Sequence, residues 1–349
     1  MIKKTLLLSA ILTCCMSAAF SQLSFDFELF SSTPIHKPYL ADPTKPGMSI
    51  EALLLTGDGP GTVMYQNGND IHFMEFKSEP SRSFLRIKYG AALGLARCTV
   101  SFEHWLSPIK IDFSMQGYLN LIFDDSLNDM YGLDGIYFIG GTLSIADKVT
   151  MRAGIHHYCS HYGDLILNSL APSPERTKYL RMNPAVAGIA VKPFNWLKVY
   201  GEMKWAHKGM YRIRPDIYSP SFLNGMNPSY PDSYKAMIIN AGLELEYKLF
   251  PRLGKTAVGY DIHLYQEGKI NLTDNDSDGV YQYHYDEAAP WEMEHTVMVA
   301  QDLAEWFTVE AAYHIGRFPL NGLIHCRTPY FSINFRFNSQ HALGWSFLD

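Results

Sequence analysis

The segment IKIDFSMQGYLNLIF, Ile109 to Phe123, decides the fold class. Its odd positions are Ile109, Ile111, Phe113, Met115, Gly117, Leu119, Leu121 and Phe123. Its even positions begin Lys110, Asp112, Ser114, Gln116, Tyr118 and Asn120. Successive side chains of an extended strand point to opposite faces, so one face here is apolar throughout and the other is wet. Such a strand is longer than those of ordinary globular sheets.

The same two-residue period returns in LKVYGEMKW (Leu197 to Trp205), in IINAGLELEYKL from Ile238, and in YFSINFRF (Tyr330 to Phe337). Weaker instances lie near residues 48, 84, 98, 138, 151, 187, 260, 298 and 310, giving roughly 12 to 14 strands. No amphipathic helix competes. A soluble sandwich also alternates, but its strands are shorter and its core is less consistently aromatic. In a membrane barrel the apolar set faces acyl chains, the polar set faces a wet lumen, and closure leaves no backbone group unpaired in hydrocarbon. The expected fold is therefore all-β, an outer-membrane transmembrane β-barrel of about 12 antiparallel strands. Trp105, Trp196, Trp205, Trp306 and Tyr330 are expected in its interfacial aromatic girdles.

Composition agrees. The chain of 349 residues is 47% hydrophobic and 14% aromatic with only 18% charged residues, and it has no apolar run long enough for a helix to span a bilayer. Its net charge of −6 gives no reason to expect a nucleic-acid partner. MIKKTLLLSAILTCCMSAAFSQ has a basic start, an apolar run and the small-x-small triplet Ala19-Phe20-Ser21. Residues 1–21 read as an export signal peptide and 22–349 as one β-barrel domain, since no linker or composition break divides the chain. A lipid-modified Cys14 or Cys15 is a weaker reading, because Thr13 and Cys14 are poor residues to precede the modified cysteine. After processing, Cys98, Cys159 and Cys326 remain, an odd count that leaves at least one thiol unpaired.

Several blocks resemble a bacterial family known only as a domain of unknown function, whose members are held to form outer-membrane barrels. PYLADPTKP (Pro38 to Pro46) resembles its Leu-Leu-Ala-Asp-Pro-Arg-x-Pro opening, and FDDSLNDMYGLDGIYFIGGTLSI its next block. HYCSHYGD (His157 to Asp164) resembles its His-x-Ser-Ser-His-Leu-Gly-Asp core. NWLKVYGEMKWAH and YHIGRFPLNG resemble its Trp-Leu-Arg-Val-Tyr-Gly strand and Gly-x-Ser-Pro-x-Gly turn. The departures are Cys159 for the first core serine, Leu165 for the acidic residue after Gly-Asp, and Phe318 for the turn serine. The resemblance implies an outer-membrane barrel and brings no activity.

In VTMRAGIHHYCSH the apolar set Val149, Met151, Ala153 and Ile155 continues into His157, Cys159 and His161. The other set, Thr150, Arg152 and Gly154, continues into His156, Tyr158 and Ser160. Unless a bulge shifts the phase, the first three face outward at the lipid rim. Two groups of outer-membrane lipid hydrolases, phospholipase A and the lipid A 3-O-deacylase, present a His-x-Ser pair on the barrel exterior, and the similarity is confined to that pair. On this reading His157 is the base, Cys159 the nucleophile, and His161 or Asp164 the orienting group. The plainer reading is a polar rim where the strand leaves hydrocarbon. A metal reading suffers from distance, since residues 157 and 161 lie roughly 13 Å apart along an extended strand.

DNDSDG (Asp274 to Gly279) has the acidic spacing of a calcium loop, but Tyr285 stands where the bidentate glutamate belongs, so a solvated hairpin tip fits better. TGDGPGT, RPDIYSPSFLNGMNPSYPDS and GRFPLNG read as loops, the second as an extracellular loop or a lid over the lumen.

Three function classes stay open. A structural or transport barrel would line its lumen with Lys110, Asp112, Glu202, Lys204, Glu244 and Glu246, whose mixed signs imply weak ion selectivity. The alternatives are an interfacial lipid acyl hydrolase and a surface binding protein acting through loops 207–235 and 267–290. The partners expected are outer-membrane lipid and a lipid or small-solute ligand, with no cofactor.

Overall fold

The computed structural model describes residues 23–31, 33–60, 62–67, 70–75, 81–102, 108–124, 130–163, 179–205, 211–214, 237–266, 270–273, 280–285, 291–320 and 326–337. Residues 1–21, expected to be an export signal, lie outside them. The strands are β1 (Leu23–Leu29), β2 (Met48–Leu55), β3 (Thr62–Asn67), β4 (Asp70–Glu75), β5 (Ser83–Phe102), β6 (Ile109–Asp124), β7 (Met130–Ile145), β8 (Val149–Tyr162), β9 (Tyr179–Met182) and β10 (Ala185–Phe194). They continue as β11 (Leu197–Trp205), β12 (Tyr211–Arg214), β13 (Met237–Tyr247), β14 (Thr256–Gln266), β15 (Ile270–Thr273), β16 (Val280–Tyr285), β17 (Glu292–Ala304), β18 (Phe307–Ile315) and β19 (Tyr330–Phe337).

Each barrel strand pairs antiparallel with the next, in the order β10-β11-β13-β14-β17-β18-β19-β2-β5-β6-β7-β8, and β8 pairs back onto β10. The result is a closed barrel of 12 strands. Every alternating segment read from the sequence falls on one of them; those near residues 84 and 98 belong to the single 20-residue β5.

Side-chain direction follows the sequence period. Along β6, Ile111, Phe113, Met115 and Leu119 are exposed on the outer wall while Asp112, Ser114, Gln116 and Asn120 are buried inside. On β19, Phe331, Ile333 and Phe335 face out while Ser332 and Asn334 are buried. An apolar exterior around a polar interior is the reverse of a soluble protein and suits a bilayer. Trp196 and Trp306 stand exposed in tight turns, as a girdle requires. Tyr330 does not: it is 2% exposed and packs inside. It shares the inward parity of Ser332 and Asn334, and that parity overrides the aromatic preference for an interface. Trp105 lies outside the described residues.

The two ends differ. Residues 146–148, 195–196, 248–255 and 305–306 make short turns at one end. In the first, Ala146 and Asp147 adopt φ of 56° and 53°, and the Lys148 amide donates to the Ile145 carbonyl at 3.0 Å. Two consecutive left-handed residues match the right-handed twist of the flanking strands. The other end carries the long connections, including the four-stranded sheet β15-β16-β4-β3 and the β9–β12 pair. In barrels of this kind, short turns face the periplasm and long loops the exterior.

Candidate functional site

The lumen is filled by the chain's own residues 33–47, which run from β1 up through the barrel to β2. Proline-rich and without a two-residue period, this strap cannot join the wall, so its backbone groups bond wall side chains instead. The Ile35 amide donates to Asp112 at 2.6 Å, and the Leu40 amide to Glu244 at 2.7 Å. Lys88 donates to the carbonyls of Pro43 and Lys45 at 3.0 and 3.3 Å, and the Tyr118 hydroxyl donates to the carbonyl of Thr44. Tyr39 stacks on Tyr200, centroids 3.8 Å apart and planes 3° from parallel, with Lys198 5.1 Å from its ring centre.

Strap and wall also match in charge. Lys45 Nζ lies 2.8 and 2.9 Å from the two oxygens of Glu310, which further accepts from Asn334 and Arg336 at 2.7 Å each. Asp42 is turned by hydrogen bonds from the Thr44 amide and hydroxyl, at 2.7 and 2.6 Å, and sits 3.7 Å from His263. Burial opposes its ionisation, but Lys204 and His263 more than compensate and hold its carboxyl below the usual range. Gly259 lets the strap reach the wall, since a Cβ there would stand 3.1 Å from Ala41 Cβ.

Wall residues complete the network. Arg86 donates from Nε to Glu51 at 2.7 Å and Arg152 from Nε to Glu202 at 2.6 Å. Of the six lumen residues expected from the sequence, Asp112, Glu202, Lys204 and Glu244 are buried in this interior. Lys110 and Glu246 stand at the short-turn rim, paired with Asp147 and Lys255.

The long-loop end of the lumen is sealed by apolar residues. Phe318 and Leu320, from the GRFPLNG turn, are buried among Leu53, Phe84, Ile122, Tyr131 and Tyr330, with Phe318 5.0 Å from the Phe84 ring. The expected loop is thus an inward cap. A cavity of about 50 Å³ remains between cap and strap, lined by groups including Arg86, Lys88, Asp134, Glu294 and His314.

A second cluster lies on the outside of the wall. β8 keeps its phase, so Arg152, His156, Tyr158 and Ser160 are buried inside, whereas His157, Cys159 and His161 lie on the outer face with Met151, Ala153 and Ile155. His157 Nδ1 contacts Asn183 Oδ1 at 2.5 Å, and the Tyr137 ring is 5.8 Å away. Asn183 stands at the corner where β9 gives way to β10: β8 pairs with β9 at Tyr158 to His161 and with β10 below, and the His156 amide donates to Pro184 at the break. The sequence pattern offers His161 or Asp164 as the group orienting His157. The contact seen at His157 Nδ1 is with Asn183, 26 residues away along the chain, and Asp164 lies outside the described residues. Cys159 pairs with Gly135, and a Cβ on that glycine would stand 2.8 Å from the sulfur and 3.4 Å from the Tyr137 hydroxyl.

No disulfide joins Cys98, Cys159 and Cys326. Cys326 packs against the apolar cap, and burial raises its thiol to about 11, which keeps the thiolate scarce at neutral pH. Among the described residues no group of three or more His, Cys, Asp or Glu is placed to hold a metal ion. The DNDSDG segment lies outside those residues, as do most of loops 207–235 and 267–290.

No known protein family matches the chain, so its likeness to the family of unknown function rests on the quoted segments alone. No curated protein matches it either. Among solved structures, the NanC porin is similar at 10% identity over 83% of this chain and 99% of that one, TM-score 0.39. The transport unit of the autotransporter AIDA-I from Escherichia coli gives 10% identity over 85% and 92%, TM-score 0.37. The outer-membrane channel DcaP of Acinetobacter baumannii gives 8% identity over 91% and 97%, TM-score 0.31.

Proposed function

We propose that this barrel is an occluded outer-membrane transport protein whose gate is its own residues 33–47. One observation carries the reading: a segment with no place in the wall fills the lumen and is held there by charged and polar groups of β5, β6, β13, β14 and β18. A barrel needing only to be stable gains little from buried ion pairs, because an apolar interior of equal volume serves as well or better. Polar wall groups are useful when the lumen has to be wetted after the filler leaves.

With the strap out, the exposed wall carries Glu51, Asp112, Glu202, Glu244 and Glu310 against Arg86, Lys88, Arg152, Lys198 and Lys204. Mixed signs give a path with weak ion selectivity, open to small polar solutes. The test is planar-bilayer conductance of the full chain beside the triple variant Tyr39→Ala/Asp42→Ala/Lys45→Ala. The wild type is expected to be silent and the variant to open stepwise conductances. A folded, inserted variant as silent as the wild type refutes the gate.

A further inference from the structure

The outer-wall cluster calls for an explanation that the lumen does not supply. Below it on the same face of β8 stand Met151, Ala153 and Ile155, as a lipid-facing strand requires; then His157, Cys159 and His161 follow in succession. Cys159 is three residues from the long-loop end of β8, roughly 10 Å along the strand. On a barrel strand, polar residues that follow an apolar run mark the approach to the headgroups, the level of acyl ester linkages and of the first water. From the geometry of His157, Cys159 and Asn183 we infer that the protein is also an interfacial acyl hydrolase, with membrane-lipid acyl esters as its substrate class.

Three features support the assignment. Asn183 presents its amide oxygen to His157 Nδ1. An amide oxygen only accepts, so Nδ1 carries the proton and Nε2 is left with the lone pair that a general base needs. His157 and Cys159 are alternate residues of one strand and therefore neighbours on one face. The sulfur lies over Gly135, where any side chain would collide with it, and the Tyr137 hydroxyl borders the same point. That hydroxyl can donate to the oxygen that becomes negative when an ester carbonyl is attacked.

The chemistry closes with water as the only co-reactant. His157 Nε2 takes the Cys159 thiol proton while the sulfur forms a bond to the ester carbonyl carbon. The carbon–oxygen bond to the lipid backbone breaks, and the imidazolium returns its proton to that leaving oxygen. Water then attacks the thioester, giving one proton to His157 as the fatty acid departs, and the proton goes back to sulfur. Asn183 is a positioning residue; His157 and Cys159 are the catalytic ones. None of these groups touches the strap, so this activity stands or falls separately from the gate.

The test uses the full-length barrel in detergent micelles. One arm offers a fluorogenic diacylglycerophosphocholine and the other purified lipid A, with fatty acid measured in both. Release in either arm is expected, and Cys159→Ala should lower it by about 10²-fold or more, the scale of losing a catalytic group. Cys98→Ser/Cys326→Ser should leave it unchanged. Asn183→Ala is expected to lower kcat and displace the pH profile while KM holds, with Asn183→Asp restoring part of the rate. Intact-mass measurement should find an acyl group on Cys159, labile to hydroxylamine. Equal release by wild type and Cys159→Ala in both arms, with both proteins folded by heat-modifiability on a gel, would overturn the inference and leave the cluster a polar rim.

Discussion

Lys45→Met tests the gate most directly. Lys45 is the strap's main ionic contact with the wall: its ammonium makes two hydrogen bonds to Glu310 and one, at 2.7 Å, to the Leu40 carbonyl, and both partners' side chains are almost entirely buried. Removing one member of a buried pair costs about 3–5 kcal/mol, because the partner is left charged without compensation. Glu310 retains Arg336 and Asn334, so the lower figure of about 3 kcal/mol applies. At about 1.4 kcal/mol per factor of ten, the undocked fraction rises about 150-fold. A cysteine at Ala41, which is fully buried, reports that fraction by its alkylation rate once the native cysteines are replaced. Lys45→Met/Glu310→Leu should recover part of the loss, because neither member of the pair is then charged without the other; Arg336, a third exposed, turns to water, while the buried Asn334 amide gives up its acceptor. A labelling rate unchanged by Lys45→Met, or single effects that simply add in the double variant, would show that the pair does not hold the strap, and the argument for a gate would fail with it.

Other variants probe other parts of the molecule. Gly259→Leu should raise Ala41 labelling by a similar mechanism, since even a Cβ at 259 crowds the strap. Burial first, then the charges of Arg152 and Lys198, keep the His36 imidazole far below its ordinary range. The undocked strap therefore binds a proton that the docked one does not, and docking should weaken as pH falls below about 6.5, by up to tenfold per unit. His36→Gln should remove that part of the labelling slope. Phe318→Ala should destabilise the cap by about 3 kcal/mol, read as faster proteolysis of the 316–329 loop. Ala146→Asn should stabilise the barrel by about 0.5–1 kcal/mol in urea refolding into vesicles, since asparagine tolerates the left-handed conformation alanine is held in.

The barrel was legible because one rule, the two-residue period, acts along every wall strand. Where that rule was set aside the reading failed: Tyr330 belongs by parity to the inner set but was placed in a girdle on residue type. The strap was not legible as a filler. Asp42 and Lys45 carry no periodicity, and their partners His263 and Glu310 lie more than 200 residues away in the chain. GRFPLNG reads as a loop, yet the inward turn of its Phe318 and Leu320 depends on an apolar pocket gathered from β2, β5, β6, β7, β8 and β19. The outer cluster was half legible. Parity placed His157 and Cys159 on one face, but Asn183 reaches His157 only through the break between β9 and β10, which no local signal announces.

A barrel strand has two surfaces whose environments share almost nothing, and β8 uses both. Its inward residues Arg152, His156, Tyr158 and Ser160 belong to a packed polar interior, and Arg152 is anchored by Glu202. Its outward residues His157, Cys159 and His161 meet the membrane boundary. The filled interior bears on the exterior through rigidity. Charges that must keep their partners fix the backbone of β8 from inside, and a fixed backbone holds an imidazole and a thiol in register outside. This coupling has a measurable sign. Arg152→Met, which leaves Glu202 only the longer contact to Lys204 at 3.8 Å and does not touch the outer face, should loosen β8 and slow fatty-acid release through kcat. Lys45→Met, which frees the strap through a contact on β18, should open the lumen and leave that release unchanged. If both variants altered the two readouts in parallel, the faces would not be separable, and a single global loosening of the barrel would account for everything observed.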